Sequence, residues 1–388
     1  MKVVAGRPNR RRLQQDTPLR VARSEERNGV TIRRVWQTGL SKRSRVGRLT
    51  NLATFTVGAA RAARQTAPFD MVIAETDPPF LCLVARRIAK RYGVPYIAYL
   101  QDLHPEIGLA IGHLRKHPHI AWLQRRFLSC YREADHVIVP GDDMKDYLIS
   151  RGVAPDRMSV VPNWVDTTHI RPLKTDNPFR RQHGLSNRFV VMYSGNLGLC
   201  QQLETVLDAA QRLRHEPHVV FMLVGDGAKK TEYERLAARR GLANVRFLPP
   251  QPVERLAASL SAADVHLVPV DPRVHRYLMP SKLYGALASG TPVLSIAPPG
   301  SSLARLVEAA EVGTNVPPAD PHALAHTINA WRQQPRRLRV CGENARRLAV
   351  EQFDRRVAVA SFAAIVHRIG KTTTAGRPAT PSYARVGT

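Results

Sequence analysis

The stretch FVVMYSGNLGLCQQLETVLDAAQRLR, residues 189–214, decides the fold. It opens with FVVMYSG (189–195), whose apolar run has the composition of a buried strand. From Gln201 onward it reads as a helix, because Leu203, Val206, Leu207 and Ala210 recur at helical spacing. Gly195, Asn196, Leu197 and Gly198 form the turn between the two. Glycines at such a turn let the backbone approach a phosphate, and the following helix aims free N–H groups at it. The spacing is not the G-x-G-x-x-G of a nicotinamide site, and a plain βα turn has the same appearance in isolation.

The alternation continues along the chain. MVIAE (71–75), PYIAYL (95–100), HVIVP (136–140), HVVFMLVG (218–225), DVHLVP (264–269) and TPVLSI (291–296) read as buried strands. Amphipathic stretches such as KKTEYERLAARRG (229–241) lie between them. Short apolar runs alternating with helices mean βαβ units and a parallel sheet. The polar segment 163–187 separates two such sets. The reading is an α/β protein of two Rossmann-like domains facing across a cleft, residues 1–163 and 164–350. A C-terminal helix at 351–369 is expected to pack back on the first domain, and 370–388 is expected to be a disordered tail.

The 388 residues are 44% hydrophobic, yet carry a formal net charge of +27. Such a charge favours anionic partners: nucleic acid, membrane surface or phosphorylated substrate. Residues 1–70 alone hold 16 Lys and Arg against 4 Asp and Glu. No aromatic-rich basic motif of the RRM or helix-turn-helix kind occurs, so nucleic acid is not the expected partner. SKRSRVGRLTNLATFTVGAARAARQ (41–65) and HIAWLQRRFLSCYR (119–132) read as cationic helices for an anionic membrane, or as core helices with exposed arginines. In the second, Trp122, Phe127 and Tyr131 interleave with Arg125, Arg126 and Arg132. No apolar run reaches transmembrane length, and the first residues show no signal-peptide pattern. Cys82, Cys130, Cys200 and Cys341 lack paired spacing, which suits a reducing cytosol. His104, His113, His117 and His119 cluster without metal-ligand spacing, so no metal site is expected.

Two further turns matter. LVGDGAKK (223–230) places Gly225, Asp226 and Gly227 between a strand and a helix, although Asp-Gly is a common turn. In MPSKLYGALASGTPV (279–293) a helix starts at Pro280-Ser281 and ends at Gly290, with Lys282 in its first turn. A lysine there opposes the helix dipole; an anion shared between its ammonium and the free N–H groups resolves the conflict.

SGNLGLCQQLETVLDAA, LVGDGA, NVRFLPP, MPSKLYGALASGTPVL and LVEAAEVGTNVPPADPHALAHTI together resemble the donor half of a GT-B glycosyltransferase. QDLHPEIGLAIG and GDDMKDYLISRGVAPDRMSVVPNWVD are similar to the first half of the same group. That group is the family-four enzymes of bacterial surface-polysaccharide assembly, of the WcaI/WbuB-like kind, and the likeness spans residues 1–369.

The resemblance implies a nucleotide-sugar donor, UDP-linked, in the cleft, and transfer with retention at the anomeric carbon. It implies no metal or other cofactor, and no D-x-D occurs in the chain. It implies a lipid-linked or glycan acceptor, and hence a cytoplasmic protein peripheral at the inner face of the plasma membrane. By motif, Gly195, Asn196, Gly198 and Gln201 map beside the donor phosphates, with Gly225, Asp226 and Gly227 in the second turn. Ser281 and Lys282 would neutralise the departing diphosphate. Asp102 would orient, or take a proton from, the acceptor hydroxyl, with His104 and Glu106 as rivals and a helix N-cap as the plain alternative.

Some positions depart from the family pattern. Two glutamates of many relatives, the second commonly on the ribose, are Tyr277 and Gly285 here. The Arg and Lys of the first phosphate loop are Asn196 and Gln201, with Arg273, His275 and Arg276 as candidate replacement charge. MKVVAGRPN corresponds to the family's second strand, so the first domain is expected to lack its central first strand and helix. A nucleotide-sugar epimerase of the same architecture, needing no acceptor, and an inactive truncated remnant are the alternative readings.

Overall fold

The computed structural model describes residues 1–7, 22–40, 45–173 and 177–375. The first domain runs β1 (Lys2–Gly6), β2 (Ser24–Arg27), β3 (Val30–Val35), α1 (Arg45–Gln65), β4 (Val72–Glu75), α2 (Leu81–Tyr92) and β5 (Tyr96–Tyr99). It continues through α3 (Glu106–Ala110), α4 (Pro118–Arg132), β6 (His136–Val139), α5 (Asp142–Ser150) and β7 (Met158–Val160). Its strands divide between two sheets. One has the order β1-β3-β2, with β1 parallel and β2 antiparallel to β3. Asn28 and Gly29, at φ 50° and 73°, make the tight turn of that hairpin. The other sheet is parallel, β4-β5-β6-β7. β1 and β4 are both edges, and among the described residues no strand joins the two sheets.

The second domain begins with α6 (Pro178–Gln182), β8 (Phe189–Ser194), α7 (Glu204–Arg212), β9 (Val219–Val224), α8 (Lys230–Arg239) and β10 (Val245–Leu248). α9 (Leu256–Ser261), β11 (Val265–Pro269), α10 (Lys282–Ala288), β12 (Val293–Ile296), α11 (Ser302–Ala309), β13 (Gly313–Val316) and α12 (Pro321–Arg332) complete it. Its six strands form one parallel sheet, β10-β9-β8-β11-β12-β13. The strand period of two assigns the faces. Val191 and Tyr193 of β8 join Phe221 and Leu223 of β9 beneath α7 and α12, where Val206, Leu207, Ile328 and Trp331 close the core. Val190, Met192, Val220 and Met222 point the other way, onto Phe179, Ala262 and Ala263. Both faces are covered, which is why these strands read as unbroken apolar runs. Each fully buried side chain of this size contributes about 1.5–3 kcal/mol of transfer free energy.

Two C-terminal helices follow, α13 (Pro335–Gln352) and α14 (Arg355–Ala375). α14 returns to the first domain, where Ile365 packs with Ile97, Ile138 and Val161 and Phe362 meets Tyr99 edge-on at 5.3 Å. It starts later than the expected 351 and runs past 369, so residues 370–375 of the expected tail are helical. Residues 376–388 lie outside the described residues.

Both basic helices pack on the core, one of the two readings offered for them. Residues 41–44 lie outside the described residues, and α1 uses Phe55, Ala59 and Ala62 to pack on Val35, while Val46, Leu49 and Val57 stay exposed. In α4, Phe127 and Tyr131 are core residues at 2% exposure, and Arg132 Nε donates to the Arg151 carbonyl at 2.7 Å. What faces solvent is Trp122, with the Arg126 guanidinium 5.4 Å from its ring centre, and Arg125. No helix among the described residues is long and apolar enough to cross a membrane.

Candidate active site

The cleft lies at the carboxyl ends of β8, β9 and β11, where open α/β sheets bind ligands. Two glycine turns stand there, and they are joined to each other. Gly195 N–H donates to the Val224 carbonyl, Leu197 N–H to Asp226, and Lys229 N–H to Leu197, each at 2.9 Å. Gly225, at φ 153°, passes so close that a Cβ would overlap the Gly195 carbonyl oxygen. A Cβ on Gly227 would collide with Leu197 and with Asn196 Oδ1. Gly198 N–H is taken by Gln201 Oε1 at 3.1 Å.

These bonds correct part of the sequence reading. The N–H groups of Gly195, Leu197 and Gly198 are occupied within the protein, so the glycines bring one loop against the other rather than presenting those donors to a phosphate. Asp226 accepts from Gly227 N–H at 2.9 Å and shapes its own turn. α7 starts at Glu204 rather than Gln201, after Gln202 at φ 45°. The donors this loop keeps include the backbone N–H and side-chain amide of the exposed Asn196.

Lys282 stands over these turns. Its Cε would lie 3.2 Å from a Cβ at Gly195, and its ammonium is 5.3 Å from the Tyr193 ring centre. Tyr193 is fixed by donating its hydroxyl to the Asn196 carbonyl at 2.6 Å. Among the described residues no carboxylate pairs with Lys282, while other nearby cations are engaged. Lys229 is bound to Glu204, and Arg273 is held bidentately by the fully buried Asp271, with Nε–Oδ1 at 3.0 Å. Arg273, one of the three candidates for replacement charge, is thus already paired with a carboxylate. Desolvation pushes the Lys282 pKa down to about 8, with Cys200 pulling weakly the other way. Ser281 precedes α10 without a side-chain cap bond. Gly285 faces α9, where a Cβ would come 3.2 Å from Leu260 Cδ1.

The first domain brings Asp102 to the cleft. Its backbone pairs with Leu278 of the second domain, and Leu103 N–H donates to the Tyr277 carbonyl at 3.0 Å. Thr76 Oγ1 holds Gln101 N–H at 3.0 Å and Asp102 N–H at 3.3 Å. Asp102 is not a helix cap: Pro105 precedes α3, without a side-chain cap bond. Asp102 is an exposed residue, yet the surrounding protein desolvates its carboxylate and raises its pKa, His104 opposing and Asp77 adding to the rise. Asp102 and Lys282 both act electrostatically on Cys200, which places the three in one neighbourhood. Tyr277 turns to the first domain and meets Tyr147 edge-on at 4.9 Å. Glu106 bonds Gln124 and Tyr147 instead.

Sequence reasoning missed the fastening of the domains. Asp143 N–H donates to Ser302 Oγ at 2.8 Å, and Ser302 N–H donates to Asp143 Oδ2 at 2.9 Å, so α5 and α11 meet end to end. It also missed Tyr193 as the aromatic floor under Lys282. His117 and His119 stack at 3.7 Å, and no group of three or more metal-ligating side chains occurs among the described residues.

Residues 2–164 match the family described as "Glycosyl transferase 4-like domain", and residues 176–348 match "Glycosyl transferases group 1". WcaI of Escherichia coli K12, named as a colanic acid biosynthesis glycosyl transferase, is 31% identical over 81% of this chain and 80% of its own length. WbjE of Pseudomonas aeruginosa, named as a glycosyltransferase, is 28% identical over 67% of this chain, a match spanning 65% of WbjE. The solved structure of Anabaena HepE in complex with UDP superposes with a TM-score of 0.66 at 19% identity, over 89% of this chain and 86% of HepE. This chain belongs to the GT-B family-four bacterial glycosyltransferases and is an enzyme of the hexosyltransferase class.

Proposed function

We propose that this chain transfers a hexose from a UDP-linked sugar to a lipid-diphosphate-linked glycan, with retention at the anomeric carbon and no metal ion or other cofactor. The setting would be surface-polysaccharide assembly at the inner face of the plasma membrane. The observation that carries this reading is Lys282, an ammonium in a desolvated cleft with no carboxylate partner among the described residues. HepE, solved with UDP and with UDP-glucose, supports the donor class. The name of WcaI supports the polysaccharide setting.

In the reaction the bond from the anomeric carbon to the diphosphate oxygen breaks, and a bond to the acceptor oxygen forms on the same face. Charge grows on the departing diphosphate, and a preorganised cation in low dielectric stabilises it more than water does. Lys282 is that cation, with Asn196 and Ser281 as neighbouring donors. Asp102 takes the hydroxyl proton of the acceptor, and its raised pKa makes it the better base. Trp122, Arg125 and Arg126 supply the membrane-facing patch.

The test is UDP release from UDP-glucose and UDP-N-acetylglucosamine, with and without a decyl-diphosphate-linked sugar. Acceptor-dependent release is the expected result. Conversion of the donor without an acceptor would replace transfer with epimerisation.

A further inference from the structure

A second cavity, of about 630 Å³, lies between α3, α4 and α5. Its size suits one or two sugar rings. Its lining combines a buried carboxylate with a cationic rim. Glu106 is 6% exposed; its Oε1 accepts from Gln124 Nε2 at 3.0 Å and from the Tyr147 hydroxyl at 3.2 Å. No cation pairs with it among the described residues, and its Oε2 receives no hydrogen bond there. Oε2 is the carboxylate oxygen left open to the cavity, where a ligand hydroxyl can donate to it. Lys116 and Arg151 stand at the same cavity, Arg151 lying 5.2 Å from the Tyr147 ring centre. Tyr277 adds an aromatic wall from the second domain, and its carbonyl holds Leu103, next to Asp102.

A hydroxyl-binding carboxylate and two cations lining one cavity match a hydroxylated ring that carries phosphate. We propose that this cavity binds the phosphate-bearing sugar of the acceptor, Glu106 accepting from a ring hydroxyl and Lys116 and Arg151 meeting the phosphate. The assignment rests on the transferase reading above. It places the acceptor's anionic end away from Lys282, whose charge serves the donor.

The experiment titrates glucose 1-phosphate into the full chain saturated with UDP, which fills the donor site first. Saturable binding is expected, weakened about tenfold or more by Glu106→Gln and by Lys116→Ala. Lys116 is an exposed rim residue, so its variant reads the site independently of folding. Absence of saturable binding with UDP binding intact, or binding indifferent to both variants, overturns the proposal. Failure of UDP itself to bind overturns instead the donor reading beneath it. Repeating the titration with decyl-diphospho-glucose separates the sources. Tighter binding that Trp122→Ala reduces marks a lipid-linked sugar; equal binding of both probes marks a soluble sugar phosphate.

Discussion

The two domains solve the same architectural problem differently. In the second, β8 and β9 pair over six residues each, both faces are covered, and six strands share one ladder. In the first, strands stand in two sheets, and β4 leaves Ile73 40% exposed at an edge. The glycine turns are held by backbone bonds between the ends of β8 and β9, whereas Asp102 is held by Thr76 and by the second domain's Leu278, with Tyr277 holding Leu103 beside it. The geometry of the glycine turns is thus a property of one sheet, and the placement of Asp102 a property of how the two domains meet.

Glycine substitutions should break this contrast most sharply. Gly225→Ala adds an overlap with the Gly195 backbone to an unfavourable φ, and should cost about 4 kcal/mol or more. Gly29→Ala in the first domain's hairpin meets nothing within 4 Å and should cost about 1 kcal/mol of φ strain. Denaturant unfolding of the two variants measures the difference; equal effects would contradict the zipped-turn account.

Asp102→Asn should lower kcat by about 10²–10⁴ while leaving UDP affinity unchanged, because it alters the acceptor side alone. Steady-state kinetics beside a binding titration separates the two; a parallel loss of UDP affinity would contradict the division of labour.

The donor side should also report its own pH dependence. Lys282 has a pKa of about 8 without ligand, and a bound diphosphate raises it. UDP affinity should therefore be constant below about pH 7 and fall above pH 8 by up to about tenfold per unit, with proton uptake on binding near pH 8. Titrations in buffers of different ionisation enthalpy check the sign. Smallest of all, Trp122→Ala should weaken binding to anionic liposomes by a few-fold, since only one exposed aromatic side chain is lost from α4.

Strands buried on both faces were legible in the sequence to within two residues: β8, β9, β11 and β12 fall inside the runs expected for them. Their composition reports burial directly. The β2–β3 hairpin was not expected, because SEERNGVTIRRV is half-exposed and charged, and an edge hairpin need not be apolar. Lys282 was legible because a cation in a helix's first turn conflicts with the dipole. The glycines were legible as turns but not in role, since spacing cannot say whether a close approach is to a phosphate or to another loop. Phe127 and Tyr131 fitted a membrane face as well as a core, because one helix's sequence does not say which neighbour covers it. The clasp of Asp143 and Ser302 joins residues 159 apart and left no local signal.

Among the described residues Lys282 has no carboxylate partner, which leaves its ammonium for the donor diphosphate proposed above. The direct measurement is calorimetric titration of UDP into the full chain and into Lys282→Ala, with the fold of each checked by circular dichroism. Saturable binding to the parent is expected, with a loss of about 10–100-fold in a folded variant, as for one charge-assisted contact. Equal UDP affinity in the two folded proteins would contradict it.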